Sequence, residues 1–138
     1  MQQVRDALAP EYPELILTQD DMAKNEVLRV HCSRVDEGKP SVLFGVASFA
    51  EGIDLPGRYL HHVVITRLPF SVPDDPIEAS LAEWVTQRGG NPFMEITVPD
   101  ASVKLVQAVG RLLRTESDTG RVTILDRRII ARRYGQLL

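Results

Sequence analysis

The chain has 138 residues, of which 43% are hydrophobic and 25% charged, a composition that excludes a disordered or collagen-like protein and predicts one globular domain. No apolar run approaches the ~20 residues that span a bilayer, and the first residues lack the core of a signal peptide, so we expect a cytoplasmic protein without membrane contact. The net charge of −3 is uneven, because residues 1–100 hold eight Lys/Arg and sixteen Asp/Glu whereas residues 101–138 hold eight and three.

Four elements are predicted in the first part of the chain. Pro10 ends an amphipathic helix, Asp20 or Asp21 provides an N-cap, and Gly38 stops the helix that follows. The elements are a helix over 1–9, a strand over 15–17, a helix from 20 or 21 to about 36, and a strand over 41–46.

Six further elements are predicted after a glycine-containing loop. Asp75 is placed to cap a helix whose first residue is Pro76, with Glu78 completing a capping box. The elements are a strand over 62–66, a helix over 76–88, an extended segment over 94–98, a long helix over about 101–114, and a strand over 121–125 before a short helix through 134.

This alternation of strands and helices predicts an α/β fold with a mainly parallel sheet. In such sheets ligands bind at the carboxyl ends of the strands, so the loops after Val46, Thr66 and Leu125 are the first candidates for a site. No metal site is predicted: Cys32 is the only cysteine, and His61 and His62 point to opposite faces of a strand.

The strongest local pattern lies on the long helix. Gln107, Arg111 and Arg114 are spaced i, i+4 and i+7, so they share one face, which Lys104 extends by another turn. The planar forks of two arginines match phosphate oxygens, which indicates an anion site, although the spacing alone is also typical of a solvated polar face. The buried stripe of this helix is predicted at Val103, Val106, Val109 and Leu113.

A second pattern follows the strand over 41–46. Residues 48–57, Ser-Phe-Ala-Glu-Gly-Ile-Asp-Leu-Pro-Gly, combine two glycines, two carboxylates and a hydroxyl. Gly52 lets backbone amides approach a ligand, and Asp54 can accept hydrogen bonds from a ribose or from a neighbouring domain. Taken alone, the segment is equally consistent with a well-capped surface turn.

Together these segments resemble motifs V and VI of the iron–sulfur helicase group of superfamily 2, motif VI being Q-x-x-G-R-x-x-R at residues 107–114. A proline loop at 67–76 lies between them, and Asn91-Pro92-Phe93, Asp118-Thr119-Gly120, Asp126-Arg127-Arg128 and Tyr134-Gly135 also match. The resemblance is greatest to the DinG-type ATP-dependent DNA helicases and covers essentially the whole chain. It implies a three-layer RecA-like fold, the second motor domain of such an enzyme, truncated at its N-terminal edge.

The resemblance also implies roles for individual residues. Arg111 and Arg114 would be arginine fingers that reach the γ-phosphate of ATP, with Gln107 sensing the nucleotide. The nucleotide-coupling positions would be Gly52, Asp54, Glu51 and Gly110, and the weaker candidates for DNA contact Ser48, Phe49 and Lys104.

The implied ligands and partners are ATP with Mg²⁺, single-stranded DNA, and the N-terminal RecA-like domain of the same polypeptide, with movement 5′ to 3′ in DNA repair or replication near the bacterial nucleoid. The phosphate loop, the acidic magnesium motif and the cysteines of a 4Fe-4S cluster are absent from these 138 residues, so the chain alone is expected to be inactive. The alternative is a non-catalytic nucleic-acid or protein-binding module with a helicase-like fold. Trp84 and Phe93 could stack on bases, although packing is the expected role.

Overall fold

The computed structural model describes residues 2–12, 14–46, 49, 52–71, 75–113 and 116–138. They form two compact units, Met1–Leu60 and His61–Leu138. No helix within the described ranges combines the length and apolar character that crossing a membrane requires.

The first unit is built around a pair of parallel strands. Its elements are α1 (Gln2–Leu8), β1 (Ile16–Thr18), α2 (Lys24–Asp36), β2 (Val42–Phe44) and a 3-10 turn at Gly57–Tyr59. Ile16 pairs with Val42 and Thr18 with Phe44, so the register is continuous along both strands. The buried aliphatic side chains are Leu17 of β1, Val27 of α2, and Ile53 and Leu55 of the loop after β2.

The helix α2 ends as predicted but begins differently. Gly38 has a φ of 72°, the left-handed conformation that terminates a helix. The predicted cap at Asp20 or Asp21 is wrong: the N-cap is Ala23, which makes no side-chain capping bond. The Asp21 carboxylate instead accepts a hydrogen bond of 2.9 Å from the backbone N–H of Thr18, at the end of β1.

The second unit also contains two parallel strands, and more than one helix lies between them in the chain. Its elements are β3 (His62–Ile65), α3 (Pro76–Gln87), a π-helical turn (Phe93–Thr97), α4 (Val98–Gly110), β4 (Arg121–Ile124), α5 (Arg128–Ala131) and a terminal 3-10 segment (Arg133–Leu137). His62 pairs with Arg121 and Ile65 with Ile124. The strand–helix–strand order and the parallel pairing confirm the α/β class.

The start of α3 is confirmed, whereas the extended segment predicted at 94–98 is wrong. Asp75 Oδ1 accepts from the N–H of Ile77 at 2.9 Å, and Pro76 is the first helical residue. Residues 93–97 are helical because Asn91 and Glu95 form a reciprocal cap. Asn91 Oδ1 accepts from Met94 N (3.3 Å) and Glu95 Oε1 from Asn91 N (3.0 Å).

Helix α4 buries a different face from the predicted one. Val98, Ala101, Leu105 and, just beyond the helix, Leu112 are buried. The predicted stripe is largely exposed, Val103 to 55%, Val106 to 66% and Leu113 to 52%, and Val109 is half-buried. Both faces carry aliphatic residues at helical spacing, so periodicity alone did not distinguish them and the packing decided.

Candidate functional site

The glycine-containing loop after β2 is held by two aliphatic side chains. Ile53 and Leu55 are 8% and 4% exposed, while Asp54 between them is exposed. Gly52 and Gly57 have φ values of 73° and 57°, which an L-residue adopts only with strain. The backbone thus enters and leaves the loop through glycines, and the anchored segment presents Asp54 at the surface.

Two side chains of helix α2 hold the chain immediately after this loop through hydrogen bonds. The buried ring of His31 lies 2.8 Å from the carbonyl oxygen of Tyr59 through Nε2 and 2.8 Å from Ser41 Oγ through Nδ1. Because a carbonyl can only accept, Nε2 carries the hydrogen, and in the neutral ring Nδ1 accepts from the Ser41 hydroxyl. Asp36 provides the second attachment: its carboxylate accepts hydrogen bonds from the Tyr59 hydroxyl (3.0 Å) and from Arg58 (2.5 Å).

Lys24, at the start of α2, is a neighbour of this loop that the sequence analysis missed. Its ammonium lies 5.5 Å from the centre of the Phe49 ring and would lie 3.8 Å from a Cβ at Gly52. A Cβ at Gly45 would lie 2.3 Å from the same ring, so Gly45 makes room for Phe49. The only signal in the sequence was a lysine in the first turn of the helix after β1. Ser48 and Glu51, also predicted here, lie outside the described residues.

In the second unit the predicted anion site lies at the carboxyl end of α4. Gln107 and Gly110 are exposed on the last turns of the helix, and a Cβ at Gly110 would meet open space. The helix ends at Gly110 rather than near Arg114, so Arg111 is its C-cap, half-buried and with φ −68° and ψ −28°. Since Arg111 keeps helical backbone angles, it continues the face of Gln107 by one turn. Arg114 lies outside the described residues.

The backbone beyond Arg111 is fixed by the next side chain. Leu112 is 4% exposed, and a Cβ at Gly120 would lie 2.6 Å from its side chain. Glycine at 120 therefore lets the segment leading to β4 pack directly on Leu112. This packing limits the positions that the neighbouring Arg111 can adopt.

Lys104, a predicted DNA contact, is held within the second unit. Its ammonium lies 2.8 Å from Asp100 one turn earlier on α4 and donates to the hydroxyl of Ser71. Ser71 also donates to Asp100, at 2.9 Å. The hydrogen bond from Lys104 lowers the pKa of Asp100 below its ordinary value, assisted by Ser71. Lys104 thus ties α4 to the loop after β3, and a phosphate would have to compete with Asp100 for it.

An open cavity of about 540 Å³ lies at the carboxyl ends of β3 and β4. Its lining residues are Thr66, Arg67, Leu125, Asp126, Arg127 and Arg128. The loops after Thr66 and Leu125 were among those in which the sequence predicted a site. The sequence patterns assigned no role to the three arginines, although Arg67 lies two residues after β3 and Arg127 and Arg128 lie three and four residues after β4.

Asp126 organises this cavity. Its Oδ2 accepts from the backbone N–H of Leu68 at 2.9 Å, and both carboxylate oxygens accept from the Arg128 guanidinium at 2.6–3.0 Å. These bonds, with the Arg128 side chain contributing most, hold the pKa of Asp126 far below its ordinary range. The guanidinium of Arg128 also lies 5.2 Å from the centre of the Phe70 ring. Arg128 is therefore oriented by both a carboxylate and an aromatic face.

The two aromatic residues considered for base stacking have different surroundings. Phe93 packs with Phe70 and Tyr134, at centroid distances of 5.3 and 5.1 Å. Trp84 is 51% exposed, and the guanidinium of Arg88 lies 4.1 Å from its ring centre. Packing is thus the observed environment of Phe93, while one face of Trp84 is occupied by Arg88.

Comparison with known proteins identifies the family. Residues 1–138 match the model of the helicase C-terminal domain. A segment of the ATP-dependent DNA helicase DinG of Photobacterium profundum is 53% identical over 123 residues, 89% of this chain and 18% of the relative. The proteins of the same name from Salmonella choleraesuis and Escherichia coli K12 are 40% and 38% identical over 124 residues, 90% of this chain and 17% of each relative.

This chain therefore spans less than a fifth of the length of these relatives. The match to the family model runs from the first residue to the last and includes both the glycine-containing loop and the end of α4. The chain belongs to the helicase C-terminal domain family and is a DinG-type member of it.

Proposed function

We propose that this chain acts as the C-terminal motor domain of an ATP-dependent DNA helicase, as one RecA-like domain with a mainly parallel sheet. The observation that carries the proposal is the edge formed by the exposed Gln107 and Gly110 and the half-buried Arg111, within a chain that matches the helicase C-terminal domain throughout. The names of the relatives, ATP-dependent DNA helicases, supply the reaction. The motor's other half is an N-terminal RecA-like domain of the same polypeptide.

In this proposal the end of α4 acts on the nucleotide. Arg111 and Arg114 are arginine fingers that offset the charge developing on the γ-phosphate, and Gln107 senses the nucleotide beside them. Gly110 has open space around it, so a ligand can approach the backbone there. The packing of Leu112 supports the role, because it fixes the backbone from which the Arg111 side chain extends, and a finger contributes to the rate only when it is positioned.

The loop anchored by Ile53 and Leu55 couples the nucleotide to the DNA strand in this proposal. Asp54 is exposed between its anchors and accepts hydrogen bonds from the nucleotide or from the partner domain, with Gly52 and Glu51 beside it. Ser48, Phe49 and Lys104 are proposed contacts to single-stranded DNA. For Lys104 the contact requires exchange of its ion pair with Asp100.

The proposed nucleotide is ATP with Mg²⁺, shared with the N-terminal domain. The donors at this edge fit phosphate oxygens, since Arg111 provides a guanidinium fork and Gln107 an amide. A 4Fe-4S cluster does not fit this chain, whose single cysteine cannot provide four thiolates. If the helicase carries a cluster, other parts of the polypeptide hold it. We place the helicase in DNA repair or replication, in the cytoplasm at the bacterial nucleoid.

The test is ATP hydrolysis by the helicase polypeptide that carries this segment, with and without single-stranded DNA. Arg111→Ala is expected to lower the DNA-stimulated rate by roughly 10³-fold or more, as loss of an arginine finger does elsewhere. Arg121→Ala, at the exposed start of β4, is the matched control and should retain the parent rate. Near-normal turnover in Arg111→Ala would contradict the finger role.

Absence of any stimulation by DNA in the parent would instead favour the non-catalytic binding module. Direction is tested separately, with duplexes that carry a single-stranded tail at either the 5′ or the 3′ end. Movement 5′ to 3′ predicts unwinding of the 5′-tailed duplex alone. Unwinding of only the 3′-tailed substrate would overturn the direction while leaving the motor function intact.

A further inference from the structure

The cavity at the ends of β3 and β4 is lined by none of the residues to which the proposed function assigns a role. Its lining residues include three arginines and one aspartate, with Thr66 as a further polar residue. Adjacent parallel strands end here, which is the place where α/β sheets bind ligands. The volume of about 540 Å³ is far larger than a single water molecule needs.

The charges of this cavity do not cancel. Asp126 is fully engaged with Arg128, which donates to both of its oxygens, and with the backbone N–H of Leu68. Within the residues that the structure describes, the side chains of Arg67 and Arg127 take part in no ion pair or hydrogen bond. Both are exposed. Two positive charges are therefore left over at a single opening.

Two unengaged guanidiniums next to a fixed third one favour an oxyanion with several acceptor atoms. Each guanidinium presents a rigid fork of donors, which fits the oxygens of a phosphate better than it fits a monatomic anion. Arg128 is kept in place by Asp126 and by the Phe70 ring. Asp126 and Arg128 are therefore held in place, and the ordering cost of binding an anion is confined to the two unengaged side chains, Arg67 and Arg127.

We propose that this cavity binds a phosphate group through Arg67 and Arg127, with Asp126 and Arg128 as its supporting wall. The phosphate belongs either to the backbone of a single-stranded polynucleotide or to a free nucleotide, and both present the same oxygens to the arginines. The inference goes beyond the proposed function, because it depends neither on Gln107 nor on Arg111.

The test uses the 138-residue chain and three probes: a labelled oligothymidylate, ATP and inorganic phosphate. Binding is measured by fluorescence anisotropy for the oligonucleotide and by ³¹P NMR titration for ATP and inorganic phosphate. The variants are Arg67→Gln, Arg127→Gln and the double substitution. Arg121→Gln removes the same charge from an exposed position at the opposite end of β4 and is the control.

Each single substitution is expected to weaken binding of the relevant probe roughly tenfold, the usual scale for a hydrogen bond to a charged group. If the phosphate comes from a polynucleotide, oligothymidylate binding weakens and its salt dependence falls by roughly one phosphate contact per arginine. If it comes from a nucleotide, ATP and inorganic phosphate weaken while oligothymidylate does not. Either result supports a phosphate site.

Three results would overturn the proposal: parent affinity of the double variant for all three probes, no binding of any probe by the parent, or an equal loss in Arg121→Gln, which would indicate diffuse charge attraction. Thermal unfolding of each variant confirms that the exposed substitutions leave the fold unchanged. Because turnover is not measured and Arg111 is intact, this test can fail while the helicase proposal stands, and the reverse also holds.

Discussion

The carboxyl ends of the two parallel strand pairs are occupied in different ways. In the first unit, side chains bind backbone N–H groups at the ends of β1 and β2: Asp21 accepts from Thr18 N, and the Gln19 side chain accepts from Val46 N at 2.9 Å. In the second unit the ends of β3 and β4 open into a cavity lined by arginines.

Both ends use an aspartate to satisfy a backbone N–H, and in both that aspartate pairs with an arginine, Asp21 with Arg5 and Asp126 with Arg128. The difference is the number of cations. Arg67 and Arg127 add two charges to the cavity that Asp126 does not neutralise. At the strand ends of the second unit, side chains therefore remain available to a ligand after the local backbone groups are satisfied.

The largest expected effect concerns the loop after β2, which is held by apolar packing rather than by charge. Leu55→Ala removes a side chain that is 4% exposed and should lower the free energy of unfolding by about 3 kcal/mol, through lost burial and the cavity left behind. Urea unfolding followed by circular dichroism measures it. Leu137→Ala, at a 60% exposed leucine, is the control and should change little. A loss below about 1 kcal/mol would mean that Leu55 is not an anchor.

The next effect concerns the aspartate of the open end. Asp126→Asn keeps the shape of the side chain but removes the charge that pairs with Arg128, and it places an amide near donors. The midpoint of thermal unfolding should fall by roughly 5 °C. The same substitution at the exposed Asp6 should leave the midpoint unchanged. Equal midpoints for parent and Asp126→Asn would show that the carboxylate does not support this end of the sheet.

Acid should weaken the same contact. The folded-state pKa of Asp126 is lowered by Arg128 and Leu68, so its stabilising effect is complete above the unfolded value of about 3.9 and is lost as the pH falls below it. Unfolding midpoints between about pH 6 and 3 should therefore decline less steeply in Asp126→Asn than in the parent. Asp21 and Asp100, whose pKa values are also lowered, contribute to the slope that remains. Identical acid slopes in the two proteins would contradict the assignment.

The smallest effect is expected at the strand ends of the first unit. Asp21→Asn weakens one hydrogen bond to Thr18 N and a surface pair with Arg5, and should cost roughly 1 kcal/mol or less of unfolding free energy. Asp20→Asn, at the exposed neighbour, is the control in the same urea series. An effect as large as that of Leu55→Ala would show that this end depends on charge and not on packing.

Much of the secondary structure was predictable because local signals are explicit. Asp75 and Pro76 mark the start of α3, and Gly38 ends α2 through its positive φ. The extended segment predicted at 94–98 was wrong. Ile96, Thr97 and Val98 favour strands, but the cap between Asn91 and Glu95 starts a helix.

The candidate site was predicted in part. The patterns identified Gly52, Asp54, Gln107 and Arg111, and the strand ends identified the loops after Thr66 and Leu125. Lys24 was missed because its proximity to Phe49 depends on how α2 packs beside the loop, which no spacing in the sequence encodes. The ion pair of Lys104 with Asp100 and its hydrogen bond to Ser71 were also missed. Ser71 is distant in sequence, and only the packing of its loop on α4 brings it close.

The sequence by itself determined the α/β class, the family and the types of side chain available for binding phosphate, because strand and helix periods, caps and ordered motifs are properties of neighbouring residues. Only the tertiary structure decided which face of α4 is buried and which arginines stay unengaged. Val98 and Val103 are equally apolar, and Arg127 and Arg128 are chemically identical. Packing gives the members of each pair different surroundings. Val98 is buried and Val103 exposed, and Asp126 binds Arg128 while Arg127 stays exposed at the cavity.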